Sequence, residues 1–265
     1  RSTQAKTLFP YTTLFRSPAM AAFPHYPGQF KQAAINMVSR GAELVEYWHW
    51  HTLPYGIENH WGGILPHSLE PGRTYEAFAD TAKALDKIST LGKFTPAAEV
   101  ALVVSTASRW AFEFQGPLRQ PNGWVDPLSY EKTLQSSYEI AYSNGLGVQI
   151  FGENQLPLNE DVAAFVAKHP IMILHSIYVC SDEVLAFARA YAEAGGRLVI
   201  TPRTGYAHSN GMLRTQVQPA GFNDLLGSYN EFSNLTKSIN VVAPDGEVVG
   251  AGYGWFDEID RKSVV

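Results

Sequence analysis

Residues 46–65, EYWHWHTLPYGIENHWGGIL, set one carboxylate, Glu58, among Trp48, Trp50, His60 and Trp61. Such a set suits a sugar. The C–H faces of a pyranose lie on aromatic faces, and its hydroxyls bond most strongly to an ionised acceptor. Pro54 breaks the run, so Glu58 falls in a loop after the aromatic segment. A loop glutamate is ordinarily just solvated; the aromatic neighbours are what favour binding here. Trp48 and Trp50 alternate with Tyr47, His49 and His51, so only one of the two sets can face a pocket. His49, His51 and His60 are metal-ligand types. No downstream carboxylate stands at a familiar spacing from them, which argues against a zinc site.

These residues need elements to hold them. Residues 29–39 carry apolar side chains at helical spacing, between Pro27-Gly28 and Gly41. Residues 43–50 read as a buried strand and 51–72 as a loop rich in Pro and Gly. Residues 73–91 read as a helix with Tyr75, Phe78, Ala82, Leu85 and Ile88 on one face and Gly92 as its stop. A strand, a long loop and a helix make the last unit of a parallel α/β barrel, whose active sites are built from such loops.

Thr95-Pro96 ends this part, and the rhythm changes. Strands are predicted at 99–105, 147–151, 170–174 and 197–201. Helices are predicted between them, at 128–144, 159–168 and from Ser181 to Gly195-Gly196. Ser181 is a cap, and Asp182 and Glu183 favour the positive start of that last helix. Strands alternating with crossover helices imply a parallel sheet covered on both faces, flavodoxin-like in outline. A short helix follows at 222–226, and beyond Gly227 the pattern fades.

Composition narrows the function. The chain has 265 residues, 45% hydrophobic and 17% charged, which fits one or two globular domains. Net charge is −5 with scattered basic residues, so no stripe suits nucleic acid. No apolar run reaches the length of a membrane span. The single cysteine, Cys180, excludes an internal disulfide and fits a reducing, cytoplasmic compartment. It sits between a strand and a helix, but Tyr178 and Asp182 stand where a nucleophile elbow needs glycine. Cys180 therefore reads as a packing residue, and an amidotransferase-like enzyme is the weakest reading. TASRW follows the strand at 99–105 where a dinucleotide site would carry GxGxxG, so no cofactor is expected.

The termini read differently. Residues 7–17, TLFPYTTLFRS, match the translation of a common short-read sequencing adapter. The closing DRKSVV matches its reverse complement in another frame. Residues 1–17 and 260–265 are therefore expected to be non-native tails outside the fold, around a piece of a longer gene.

At EYWHWHTLPYGIENHWGGILPHSLEPGRTYEAF the chain resembles glycoside hydrolase family 42, the bacterial β-galactosidases. The resemblance extends back through YPGQFKQAAINMVSRGAELVEYWHWH. It continues through EVALVVS, YVCSDEVLAFARAYAEAGGRLVITPRTG and FNDLLG. It implies an α/β chain in which residues 18–94 are the last β/α unit of a (β/α)8 barrel. Residues 95–259 would then be a flavodoxin-like trimerisation domain. The implied partners are a galactoside and the other copies of a homotrimer. Carried over by position, Glu58 matches the glutamate that binds galactose hydroxyls, and Trp48 an aromatic of the galactose subsite. Trp61 stands where many members have a histidine on the sugar.

A retaining glycosidase works with two carboxyl groups about 5–5.5 Å apart. The resemblance puts both on earlier barrel strands, before His25, and neither Glu43 nor Glu46 matches them. No catalytic residue is therefore assigned, and the chain alone is expected to hydrolyse nothing. The alternative is a non-catalytic oligomerisation or binding module on the parallel sheet, with 18–92 as an adaptor. One barrel strand cannot close a barrel, so residues 97 to about 235 are expected to fold best, and 18–92 to be disordered or sticky unless they pack on that domain.

Overall fold

The computed structural model describes residues 6–10, 25–56, 59, 62–158, 161–235 and 237–260, of which 6–10, 48, 228–234 and 258–260 are described by backbone alone. They fall into two compact units, residues 1–97 and 98–265.

The first unit runs β1 (Lys6–Pro10), α1 (Gln29–Ser39), β2 (Leu44–Trp48) and α2 (Arg73–Ser89). Gly28 enters α1 at φ +84°, a conformation that costs glycine little. Phe30 and Ala34, one helical turn apart, are buried. Phe30 stacks on Phe78 of α2 with ring centroids 4.2 Å apart, and Tyr47 of β2 meets Phe78 edge-on at 4.6 Å. Burying rings of this size contributes about 1.5–3 kcal/mol each. This cluster gives the first unit a small core of its own. Part of the N-terminal stretch also forms a strand. Lys6–Pro10 pairs parallel with β2, Lys6 opposite Leu44 and Pro10 opposite Trp48. An open strand edge offers unpaired backbone groups to any segment, whatever its side chains.

The second unit runs β3 (Val100–Val104), α3 (Thr106–Gln115), α4 (Ser129–Ser143), β4 (Val148–Gly152), α5 (Val162–Lys168), β5 (Ile171–Leu174), α6 (Asp182–Glu193) and β6 (Arg197–Ile200). The four strands form one parallel sheet in the order β4-β3-β5-β6. That is the flavodoxin-like order 2-1-3-4. Val100 to Val103 are all buried, as a central strand covered on both faces requires. Ala101 and Val103 share a core with Met172, Leu174, Phe165 of α5, and Val184, Phe187, Ala188 and Tyr191 of α6. Right-handed crossovers put α3 and α4 on the other face.

Local chemistry fixes the ends of these helices. The Ser181 hydroxyl accepts from Val184 N at 3.4 Å at the start of α6. Beyond its far end, a Cβ on Gly196 would lie 2.3 Å from Tyr191 Cε1, so only glycine fits there. The chain then continues through α7 (Asn223–Leu226) into strands absent from the sequence expectation: β7 (Ser228–Asn234), β8 (Ile239–Val242), β9 (Val248–Gly252) and β10 (Trp255–Asp260). β7 pairs antiparallel with β10, and β8 with β9. Asp260, assigned to a tail from the sequence, closes β10 opposite Ser228. No helix among the described residues is long and apolar enough to cross a membrane.

Candidate functional site

Glu58, His60 and Trp61 lie outside the described residues, and Trp48 is described only as part of the β2 backbone. The frame that holds their segment is defined. Just beyond β2 the chain closes on itself at a narrow neck. Ile64 N donates to His49 O at 3.0 Å, Leu65 N to Trp50 O at 2.9 Å, and Thr52 N to Leu65 O at 2.9 Å. Thr52 is buried, and its hydroxyl works in both directions. It accepts from Gly63 N at 3.0 Å and donates to Leu65 O at 3.1 Å. A Cβ on Gly63 would lie 2.4 Å from His51 C, so the approach is possible only with glycine. The neck gathers 49–52 against 63–65. Further in, His67 Nε2 lies 2.8 Å from Asn59 O.

Aromatic surface gathers at the same place. Trp50 is 60% exposed, with Tyr75 of α2 edge-on at 6.3 Å. Tyr55 in the loop is 80% exposed. Tyr47, by contrast, is committed to Phe30 and Phe78. Tyr47 therefore packs toward the helices, and the alternating positions 44, 46 and 48 belong to the other face of β2. Thr52 and Gly63 were missed from the sequence; the adjacent Gly62-Gly63 pair was the available signal. Among the described residues no group of three or more His, Cys, Asp or Glu could hold a metal ion.

The second unit has its own natural place for a ligand. In an open parallel sheet that place is the crevice at the carboxyl ends of the strands where their order reverses, here between β3 and β5. Tyr130 of α4 fills it. Its hydroxyl accepts from Ser105 N, just after β3, at 2.9 Å, and donates to His175 O, just after β5, at 3.1 Å. Burial raises its pKa, so it stays a neutral phenol. The His175 ring lies edge-on to Tyr130 at 5.0 Å, with Nε2 3.2 Å from Thr133 Oγ1 and Nδ1 3.1 Å from Ser137 Oγ. The Ser105 hydroxyl caps α3, accepting from Ser108 N at 3.1 Å, and reaches Glu153 Oε1 at 2.9 Å. Burial raises the Glu153 pKa, against the lowering effect of the Ser105 bond.

Cys180 is 1% exposed, and burial pushes its thiol up to about 12. A thiol that stays protonated is a poor nucleophile, so its role is packing.

Comparisons with known proteins cover both units. The family described as "Beta-galactosidase trimerisation domain" matches residues 98–263, and that described as "Beta-galactosidase" matches residues 17–88. β-Galactosidase BgaA of Clostridium cellulovorans is 26% identical over 236 residues, covering 88% of this chain and 33% of its own. β-Galactosidase BbgII of Bifidobacterium bifidum is 24% identical over 205 residues, covering 76% and 27%. The chain thus spans about a third of the length of these relatives. Among solved structures, a β-galactosidase from Bacillus circulans sp. alkalophilus has a TM-score of 0.74 at 18% identity, covering 88% of this chain and 34% of its own. The β-galactosidase of Halorubrum lacusprofundi has a TM-score of 0.71 at 20% identity, covering 91% and 34%. These likenesses show the fold: a barrel end followed by a parallel-sheet domain.

Proposed function

Since this chain belongs to the glycoside hydrolase family 42 β-galactosidases, with their trimerisation domain across residues 98–263, we propose that it is the C-terminal part of a retaining β-galactosidase that acts as a homotrimer. Residues 18–94 supply the end of the catalytic barrel, and 95–259 the assembly domain. Residues 1–17 and 260–265 remain, on this reading, adapter-derived despite the strand pairing at each end. The protein works in the cytoplasm, in keeping with its lone buried thiol.

The observation that carries this reading is the clasped loop after β2. In a barrel, the loop at the carboxyl end of a strand is the one that reaches substrate. Here Thr52 and Gly63 meet at a neck, and Glu58 lies between them in the sequence. Glu58 accepts hydrogen bonds from galactose hydroxyls. Trp48 offers an aromatic face at the galactose subsite, and Trp61 borders the sugar where relatives with histidine make a polar contact. Binding of this kind orients the sugar, and bond cleavage needs two further carboxyl groups. Those belong to earlier barrel strands, so this chain holds substrate and performs no step of the hydrolysis.

An aryl β-galactoside assay tests the division of labour. The chain alone gives no turnover, and turnover above a Glu58→Ala control would overturn the proposal. A second reading, a purely structural oligomerisation module, draws on the Tyr130-filled crevice of the second unit. Recovering the upstream reading frame separates the two. A barrel with a pair of opposed glutamates selects the enzyme.

A further inference from the structure

We propose that the outward face of α3 is one of the two surfaces through which copies of this chain join. This rests on the homotrimer reading above and names a surface for it. The inward face of α3 is already committed. Ser108 is fully buried, with its hydroxyl accepting from Val179 N at 3.0 Å. Phe112, one turn on, meets Tyr130 at 5.4 Å and Trp255 at 5.0 Å. The opposite face carries Trp110 and Phe114, also one turn apart, at 62% and 79% exposure. Ala107 and Ala111 lie beside them on the helix wheel, so the stripe is apolar and low enough for another surface to approach. Arg109 and Glu113 border it, and Arg109 is tied to Glu131 of α4 by an ion pair at 2.5 Å.

An apolar centre with a charged border is the anatomy of a protein interface, and aromatic side chains dominate interface energetics. The two rings expose roughly 200–300 Å² of apolar surface. That is about a third of what each partner buries in a standard interface. The occupant is a second copy of this chain, because α3 lies inside the segment matched to a trimerisation domain. A three-fold ring is heterologous: each copy presents two different surfaces. The α3 stripe therefore meets another part of its neighbour, and one substituted face breaks every contact in the ring.

The experiment is mass in solution by light scattering and sedimentation across a concentration series. It uses the whole chain and the double variant Trp110→Glu/Phe114→Glu. The parent is expected at the three-chain mass. The variant is expected at the single-chain mass, or with half-assembly at a concentration ~100-fold higher, with an unchanged circular dichroism spectrum. A variant that stays at the three-chain mass overturns the α3 surface and leaves the trimer standing. A parent at the single-chain mass throughout overturns the α3 surface and leaves the trimer of the full-length protein standing. Ala111→Cys keeps the two rings and gives an independent reading, since Cys180 is buried. Its labelling by a thiol reagent slows as protein concentration rises if the face closes. A concentration-independent rate in a three-chain particle overturns the surface assignment.

Discussion

Acid should weaken the second unit through one side chain, His175. The ring is 2% exposed, and burial holds its pKa down to about 4 from 6.5. Burial favours the neutral ring, and its two nitrogens face only hydroxyls. Thr133 Oγ1 donates to Ser129 O at 2.8 Å and so is left to accept from His175 Nε2–H at 3.2 Å. Nδ1 faces Ser137 Oγ at 3.1 Å, and that hydroxyl also donates to Thr133 O at 3.3 Å. Among the described residues, no carboxylate hydrogen-bonds the ring. Tyr130 stands edge-on to the ring as a neutral phenol, and Glu153, one of the acids that act on Tyr130, is engaged by Ser105. The sign follows. Between pH 6.5 and 4 the unfolded chain binds a proton that the folded chain refuses, so stability falls as pH falls through that window. The gap of about 2.5 pKa units corresponds to about 3 kcal/mol, complete near pH 4. The assay is urea unfolding from pH 7 to 4 for the parent and for His175→Gln, which cannot titrate. The variant starts lower at pH 7, having lost part of the hydrogen-bond set. Its stability then declines less with acid, and the two curves converge by about 3 kcal/mol. Parallel curves would refute the reasoning.

Two further outcomes follow from close packing. Gly63→Ala forces a methyl onto the His51 backbone and should cost about 1–3 kcal/mol at the neck. Hydrogen exchange at the Ile64 and Leu65 amides should speed up, while Gly72→Ala, with open space around its Cβ, leaves them unchanged. Cys180 should resist iodoacetamide in the folded chain at pH 8 and react fully in urea, followed by intact mass; rapid labelling of folded protein would contradict its burial.

Where a pattern was strong, the sequence was readable. The periodic faces of α1 and α6, the β-branched runs of β3 and β5, and the cap at Ser181 each signal locally what they do in the fold. The flavodoxin-like sheet follows from their alternation. Helix α3 escaped because TASRWAFEFQ was read for missing glycines rather than for its cap, Ser105. The C-terminal strands escaped for a different reason. β8 is exposed along its length and β9 nearly so, hence no buried face imposes alternation on them. The signal that remained was the turn at Pro244-Asp245-Gly246, where Gly246 N donates to Ala243 O at 2.9 Å. Glu58 stood out by its neighbours in sequence. The neck did not, because Thr52 and Gly63 are eleven residues apart and meet only once the fold brings the Thr52 hydroxyl to the Gly63 amide.

Tyr130 has a thermodynamic consequence. A domain whose central groove awaits a diffusible molecule has a melting point that follows the concentration of that molecule. This one carries its occupant on its own chain, at an effective concentration no dilution can change. Its rigidity is therefore set by the fold itself and does not follow the concentration of any small molecule.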